Sequence, residues 1–252
     1  MFHMLTKYNC EGTILNSNSF GQFKIIKYTS TNEVLIEFLE TNFQTTATFN
    51  NIKTGAVKDP YFPNIYGVGY IGIGKYNSRI DGIQTSRYKR WKEILNRCYN
   101  KQCSSYKNYG AIGVYVCDSW HNYQNFADWY QHNCANESFV IDKDLLKKGN
   151  KCYCPEYCCF VPSDINSALT SRKQKRGEYP IGVRKKGNLI IAQINYLGKK
   201  LHLGTFHSIE DAFNAYKLKK EECLKEYAEL HKHEITEKVY NALINYKVEI
   251  TD

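Results

Sequence analysis

The chain has 252 residues, 42% of them hydrophobic and 14% aromatic, with a formal net charge of +9. This length suits two or three small domains. No run of about 18 apolar residues is present, and the first residues lack the basic start and long apolar stretch of a secretory signal, so we expect neither a membrane span nor secretion. In the reducing cytoplasm that this implies, the ten cysteines should be thiols or metal ligands and not disulfides.

Residues 1–75 are predicted to form a small β-rich module. Residues 21–28 and 33–38 are rich in β-branched and aromatic side chains and alternate between apolar and polar, as half-buried strands do. Asn32, after a Thr-Ser-Thr run, suits the turn between them. Basic and acidic residues nearly cancel in this part, so it offers no electrostatic reason to bind a polyanion. We interpret it as a module that packs or docks, with no chemistry assigned.

Residues 85–170 are predicted to mix helices with short strands. Tyr88, Trp91 and Leu95 have the spacing of one buried helix face, which indicates core and not a binding site. The segment also contains most of the cysteines. Buried thiols are the simpler interpretation of these, and a structural zinc site drawing on Cys98, Cys117 and Cys158 is the alternative.

Residues 171–178 are predicted to be a basic linker. The segment from 171 to 207 holds nine lysines and arginines against one acid, Glu178, and so accounts for most of the net charge. A local basic region predicts a polyanionic partner whose binding weakens with salt. We expect the linker to follow a phosphate backbone, and a simple spacer is the alternative. Its candidate contact residues are Arg172, Lys173, Lys175 and Arg176.

Residues 179–228 are predicted to form a three-stranded antiparallel sheet backed by a helix. The alternating residues of the second predicted strand are Ile190, Ala192 and Ile194 on one face and Ile191, Gln193 and Asn195 on the other. This alternation predicts one apolar face and one face of hydrogen-bonding groups. Ser208 can cap the helix that follows. Residues 229–252 are predicted to form a last helix that closes the core or makes a dimer contact.

Three segments of this region carry a resemblance to a known family: Gly182-Val183-Arg184, Ala192-Gln193-Ile194-Asn195 and Leu203-Gly204-Thr205-Phe206. Their order and spacing resemble the AP-two/ERF DNA-binding domain, which implies a sheet that reads double-stranded DNA in the major groove. The resemblance and the basic charge together give the DNA-contacting candidates Arg184, Lys186, Gln193, Asn195, Lys200 and His202. Of the family's base-contacting positions only Arg184 is unchanged. DNA binding therefore carries over better than the target sequence does.

The middle segment resembles phage proteins of the HNH homing-endonuclease group. The matching positions are Trp91, Arg97-Cys98-Tyr99, Tyr109-Gly110, Val116-Cys117, Trp120, Phe126, Ile141-Asp142-Lys143-Asp144 and Asn166. The resemblance implies that Asp142 and Asn166 hold a magnesium ion near the water that attacks DNA. Lys143 stands where the family has its histidine base, and Tyr157 where it has an orienting asparagine. A lysine is normally protonated and is a poor base, so the segment is interpreted as degenerate.

We therefore expect an α+β chain that acts as a double-stranded DNA-binding protein of a phage or mobile element, in the host cytoplasm near the nucleoid. It would combine an AP-two/ERF-like sheet with a degenerate HNH-like segment. The main alternative is an active, magnesium-dependent HNH-type endonuclease with Asp142, Lys143 and Asn166 as its catalytic residues. An RNA-binding or protein-binding module is a third hypothesis. Neither a membrane nor a small-molecule substrate is expected as a partner.

Overall fold

The computed structural model describes residues 9–170 and 178–252, and the chain divides into two units after Gln131. Helices are mixed with several small antiparallel sheets, which confirms the predicted α+β class. Among the described residues, no helix has both the length and the apolar character needed to cross a membrane. The linker residues Arg172, Lys173, Lys175 and Arg176 lie outside the described residues.

The first unit begins with a four-stranded antiparallel sheet in the order β1-β2-β3-β4. Its elements are β1 (Ile14–Asn16), β2 (Gln22–Ser30), β3 (Glu33–Phe38), β4 (Gln44–Ala47) and the short helix α1 (Phe49–Lys53). Alternate residues of the two central strands are buried, as the sequence pattern predicts. The fully buried ones are Phe23, Ile25, Val34, Ile36 and Phe38.

A hairpin and two helices follow the sheet. Their elements are β5 (Arg79–Ile80), β6 (Ile83–Gln84), α2 (Ser86–Tyr99), β7 (Tyr115–Val116) and α3 (Tyr123–Asn133). The aromatic stripe of α2 is buried as expected: the ring of Trp91 lies 5.4 Å from that of Tyr123, and its Nε1 donates to the carbonyl of Trp120 at 2.7 Å. The helical spacing in the middle of the chain therefore marks core, as interpreted.

The second unit starts with a small hairpin and a helix. The elements are β8 (Val140–Asp142), β9 (Cys152–Tyr153), β10 (Cys159–Val161) and α4 (Ser163–Leu169). β8 pairs antiparallel with β10, so that Asp142 lies opposite Cys159. Only Pro162 separates β10 from α4, which makes this a strand, strand and helix arrangement.

A three-stranded antiparallel sheet and two helices complete the chain. They are β11 (Val183–Lys186), β12 (Leu189–Tyr196), β13 (Lys199–Phe206), α5 (Ile209–Leu230) and α6 (Glu237–Ile244). β12 is the central strand. As the sequence suggested, Ser208 caps α5, its side chain accepting the backbone N–H of Asp211 at 3.0 Å. Val239 and Leu243 of α6 are buried, so the last helix contributes to the core.

The long helix α5 connects the sheet with α4. Near its start, Ala212, Phe213 and Tyr216 pack under the sheet. Further along, the buried ammonium of Lys220 donates to the carbonyl of Ala168, in the last turn of α4. A cation suits this position, because the carbonyl end of a helix carries partial negative charge.

Candidate nucleic-acid interface

The register of the three-stranded sheet places the predicted DNA contacts on one face. Arg184 lies opposite Ile191, Gln193 opposite His202, and Asn195 opposite Lys200. Directly paired residues of antiparallel strands share a face, and alternate residues of one strand do too. The polar members of this outer face are Arg184, Lys186, Gln193, Asn195, Lys200, His202 and Thr205.

The opposite face of the sheet is covered by α5. Val183, Ile190, Ala192 and Ile194 are buried there, against residues that include Phe213 and Tyr216 of the helix. Arg184, Lys186, Asn195, Lys200 and His202 are exposed, and Gln193 is half-buried. The helix thus leaves the outer face to these polar side chains, as the alternation predicted, and Ile191 is a buried apolar member of the same face.

The two central polar side chains of this face are joined. Arg184 donates from Nε to Oε1 of Gln193 at 3.0 Å. The bond restricts the guanidinium, whose terminal NH₂ groups form the fork that matches the N7 and O6 acceptors of guanine. Gln193 therefore positions Arg184 as well as offering its own amide, a relation that the sequence did not reveal.

A β-bulge lies beside these residues. Ala192 pairs with Gly204 and Gln193 pairs with His202, so that Leu203 is an extra residue on β13. A bulge increases local twist and redirects neighbouring side chains. Here it displaces His202 along the outer face relative to Thr205, whose hydroxyl lies 3.5 Å from its Nε2. Neither the bulge nor Thr205 was predicted from the sequence; Gly204, in the middle of the strand, was the available signal.

The three strands of the sheet are basic, whereas the helix that supports them carries more acids than bases. Residues 183–206 contain five lysines and arginines and no acid, whereas α5 contains six acids and four lysines. Because the acids belong to the helix behind the sheet, the local basic field belongs to the strands. Such a surface attracts a polyanion.

Asp142, the predicted metal ligand, has one oxygen engaged in a turn. Its Oδ1 accepts the backbone N–H groups of Asp144 and Leu145, each at 2.7 Å. Burial raises the pKa of this carboxyl, and the two N–H donors oppose the rise. Through this oxygen, Asp142 stabilises the turn that follows β8.

Lys143, at the position of the expected base, is held by acceptors. Its Nζ donates to both carboxylate oxygens of Asp144 at 2.8 Å and to the carbonyl of Asn150 at 2.6 Å. All three contacts are made to acceptor oxygens, so the amine is the donor in each of them. The side chain of Asn150 closes the same loop, donating to the carbonyls of Lys143 and Cys152. The Lys143 amine and the Asn150 side chain thus hold the loop from Asp142 to Cys152 together.

Asn166, the other predicted metal ligand, lies in the middle of α4 and is half-buried. α4 contacts β8, the strand that ends at Asp142. Tyr157, in place of the orienting asparagine, has the ammonium of Lys147 over its ring at 4.4 Å. The helix and hairpin therefore carry the predicted residues on neighbouring elements, but two of the expected chemical groups are replaced.

The cysteines predicted as zinc ligands are distributed over both units. Cys98 and Cys158 are buried, and burial raises the pKa of the Cys158 thiol. Cys117 lies in the first unit with its Sγ 3.2 Å from the hydroxyl of Ser119. Within residues 9–170 and 178–252, no group of three or more His, Cys, Asp or Glu side chains has the arrangement of a metal site.

No protein-family model matches the chain, and no curated protein or solved structure matches it either. A functional assignment therefore depends on the residues and their geometry.

Proposed function

We propose that this chain is a double-stranded DNA-binding protein of a phage or mobile element, and that the outer face of β11–β13 reads the major groove as an AP-two/ERF-like sheet. The observation that carries the proposal is the single open face on which Arg184, Gln193, Asn195, Lys200 and His202 lie together. A helix covers the other face, so the polar side is the one available to a ligand.

The dimensions and chemistry of the face fit a duplex. Neighbouring strands are about 4.8 Å apart, and the major groove is about 12 Å wide, enough for a strand pair. Arginine suits guanine, and the amides of Gln193 and Asn195 suit adenine, which presents one donor and one acceptor. Lys186 and Lys200, at the margins of the face, would contact phosphates.

The strand, strand and helix arrangement around Asp142 is proposed to be a degenerate HNH-like segment without nuclease activity. Support comes from Lys143, whose amine is committed to Asp144 and the carbonyl of Asn150. The active magnesium-dependent endonuclease is the second candidate, because Asn166 lies on the helix that contacts the strand ending at Asp142. In that case Asp142 and Asn166 would hold the ion.

Binding is tested with Arg184→Ala/Gln193→Ala against a matched control, Lys185→Ala. Lys185 is exposed on the same strand but pairs with Ile190, whose side of the sheet faces α5. Because a bidentate base contact contributes about 1–3 kcal/mol of discrimination, loss of one such contact in the double variant should lower the affinity for a selected duplex by roughly fivefold to 150-fold. The control should lose only the small, salt-dependent share of one charge.

The binding measurement is a titration of selected duplex DNA, random duplex DNA and duplex RNA by fluorescence anisotropy at several salt concentrations. Equal losses in the double variant and the control would contradict reading by this face. Equal affinity for DNA and RNA duplexes would favour the RNA-binding alternative, and absence of binding to every nucleic acid would reject the proposal.

Cleavage is tested with supercoiled plasmid, magnesium or a chelator, and the variant Asp142→Asn. Asparagine keeps the oxygen that accepts the N–H groups of Asp144 and Leu145 and removes the charge that a metal needs. We expect a stable complex and intact plasmid with both proteins. Magnesium-dependent nicking by the wild type that disappears in Asp142→Asn would establish the endonuclease instead.

A further inference from the structure

The β5–β6 hairpin ends in an exposed pair of isoleucines. Its turn consists of Asp81 and Gly82, both with positive φ (50° and 77°), as in the tight type I′ turn that joins two strands. Ile80 pairs directly with Ile83, and the two residues are 54% and 70% exposed. Two large apolar side chains therefore share one face at the tip of a narrow ribbon.

The hairpin is fixed to the start of α2. The backbone N–H of Thr85 donates to the carbonyl of Ser78 at 3.0 Å across the base of the hairpin. The Thr85 hydroxyl then caps the helix, accepting the N–H of Tyr88 at 3.3 Å. From α3, the hydroxyl of Tyr123 donates to the carbonyl of Asn77 at 3.1 Å. These bonds fix the tip relative to the helix.

The solvent side of α2 is basic. The stripe of Tyr88, Trp91 and Leu95 is buried, and the remaining sides carry the exposed Lys89 and the half-buried Arg87, Arg90, Lys92 and Arg97. One acid, Glu93, accompanies them, and its carboxylate lies 3.7 Å from Arg90 and 3.0 Å from Arg97. The segment 75–97 has seven lysines and arginines and two acids. The first turn of α2 contains no acid, although a helix N-terminus favours one.

We propose that this hairpin–helix surface, residues 79–84 with the solvent side of α2, is a second contact with duplex DNA. Ile80 and Ile83 enter the minor groove and wedge between base steps, which bends the duplex, while Lys89 and Lys92 contact phosphates. This inference rests on the DNA binding proposed above. It gives the first unit a DNA contact of its own, separate from the contacts proposed for the basic residues 171–207.

Charge and shape both favour DNA over a protein partner. The cationic helix follows the apolar tip directly in the chain, and its lysines are complementary to backbone phosphates. The minor groove is about 6 Å wide, so the isoleucine side chains at the tip, and not the strand pair, are the part that enters it. Exposed aliphatic side chains that partly unstack a base step are a known means of bending DNA toward the major groove.

The experiment uses the full chain and a duplex of about 30 base pairs with a fluorophore at each end, so that bending changes energy transfer. The test variant is Ile80→Ser/Ile83→Ser. The matched control is Ile14→Ser, which removes a 52% exposed isoleucine from β1 in the same unit. Both changes are on exposed side chains, and Ile80→Leu/Ile83→Leu supplies a conservative variant that keeps the wedge.

We expect the serine pair to lose the bend and about tenfold in affinity, with an unchanged dependence on salt, while the leucine pair and Ile14→Ser behave as wild type. Lys89→Ala/Lys92→Ala should lower the slope of log affinity against log salt by about 2, since each phosphate contact contributes about 0.9. A serine pair that still bends the duplex and binds it as tightly as wild type would overturn the inference. So would loss of self-association in sedimentation without any change in DNA bending, because the isoleucines would then face a second copy.

The result also separates this inference from the proposed function. If wild type binds DNA and Arg184→Ala/Gln193→Ala is defective, but the Ile80/Ile83 variant equals Ile14→Ser, only the second contact is wrong. If wild type binds no DNA, both proposals are wrong.

Discussion

Replacing Gly182 by alanine should destabilise the three-stranded sheet through a clash and not through backbone strain alone. Gly182 precedes β11 with a φ of +79°, and a Cβ built there would lie 1.9 Å from Cδ2 of Tyr216, a buried ring of α5. A left-handed backbone costs a residue with a side chain about 1–2 kcal/mol, and overfilling a packed core costs about 1–3 kcal/mol. Gly182→Ala should therefore lower the free energy of unfolding by about 2–5 kcal/mol.

Gly187 offers the matched control, because its φ is +62° and a Cβ there meets no atom within 4 Å. Gly187→Ala should cost only the backbone share, about 1–2 kcal/mol. Urea denaturation followed by tyrosine and tryptophan fluorescence compares the two variants with wild type. Equal losses in both would refute the reasoning, since they would mean that Tyr216 moves aside without cost. A double-mutant cycle with Tyr216→Leu then measures the coupling free energy between positions 182 and 216. Gly182→Ala should cost less in the Tyr216→Leu background, because the smaller side chain relieves the clash.

Two further predictions concern titratable side chains of the second unit, the half-buried His231 and the buried Lys220. His231 lies between Asp164 and Glu234, at 2.9 and 2.8 Å; burial lowers its pKa, but the carboxylate hydrogen bonds outweigh burial and raise it. Its stabilisation should be complete below the ordinary histidine range and lost as pH rises through the raised value, so wild type and His231→Gln should differ at pH 6 and converge at pH 9 in thermal denaturation. Burial lowers the pKa of Lys220, which donates to Ala168. At this group the unfolded chain then binds more protons, so the stability of wild type relative to Lys220→Met should increase from pH 8 to pH 10, and a constant difference between the two proteins would contradict this.

The sheet could be predicted from sequence because its determinants are local. Alternation along β12 decides which side chains face α5, and a strand has only two faces. The pairing of Gln193 with His202 could not be predicted, because it depends on where the bulge falls. The hydrogen bond from Arg184 to Gln193 joins separate strands and requires the register as well.

The basic side of α2 was overlooked for a different reason. Its positive charge is cancelled in the total by acids elsewhere in the chain, several of them on α5, so charge summed along the sequence places the positive field only in residues 171–207. Electrostatic attraction depends on which charges share a surface within about a Debye length, and only the fold supplies that. The distribution over helix faces was the missing signal.

The environment of Lys143 connects the fold to the choice between binding and cleavage. A cation that donates to a carboxylate and to a backbone carbonyl stabilises the loop from Asp142 to Cys152 together with Asn150, and removing it would leave acceptors without a donor. A histidine at this position has two ring nitrogens and could not make the same three contacts. On our proposal, the loop therefore keeps the shape of a nuclease segment, while the residue at the position of the catalytic base is engaged in the hydrogen bonds that hold the loop together. On that proposal, binding without cleavage is the expected outcome. Helix α5 packs under the three-stranded sheet and bonds to α4 through Lys220, so it connects the segment to the sheet.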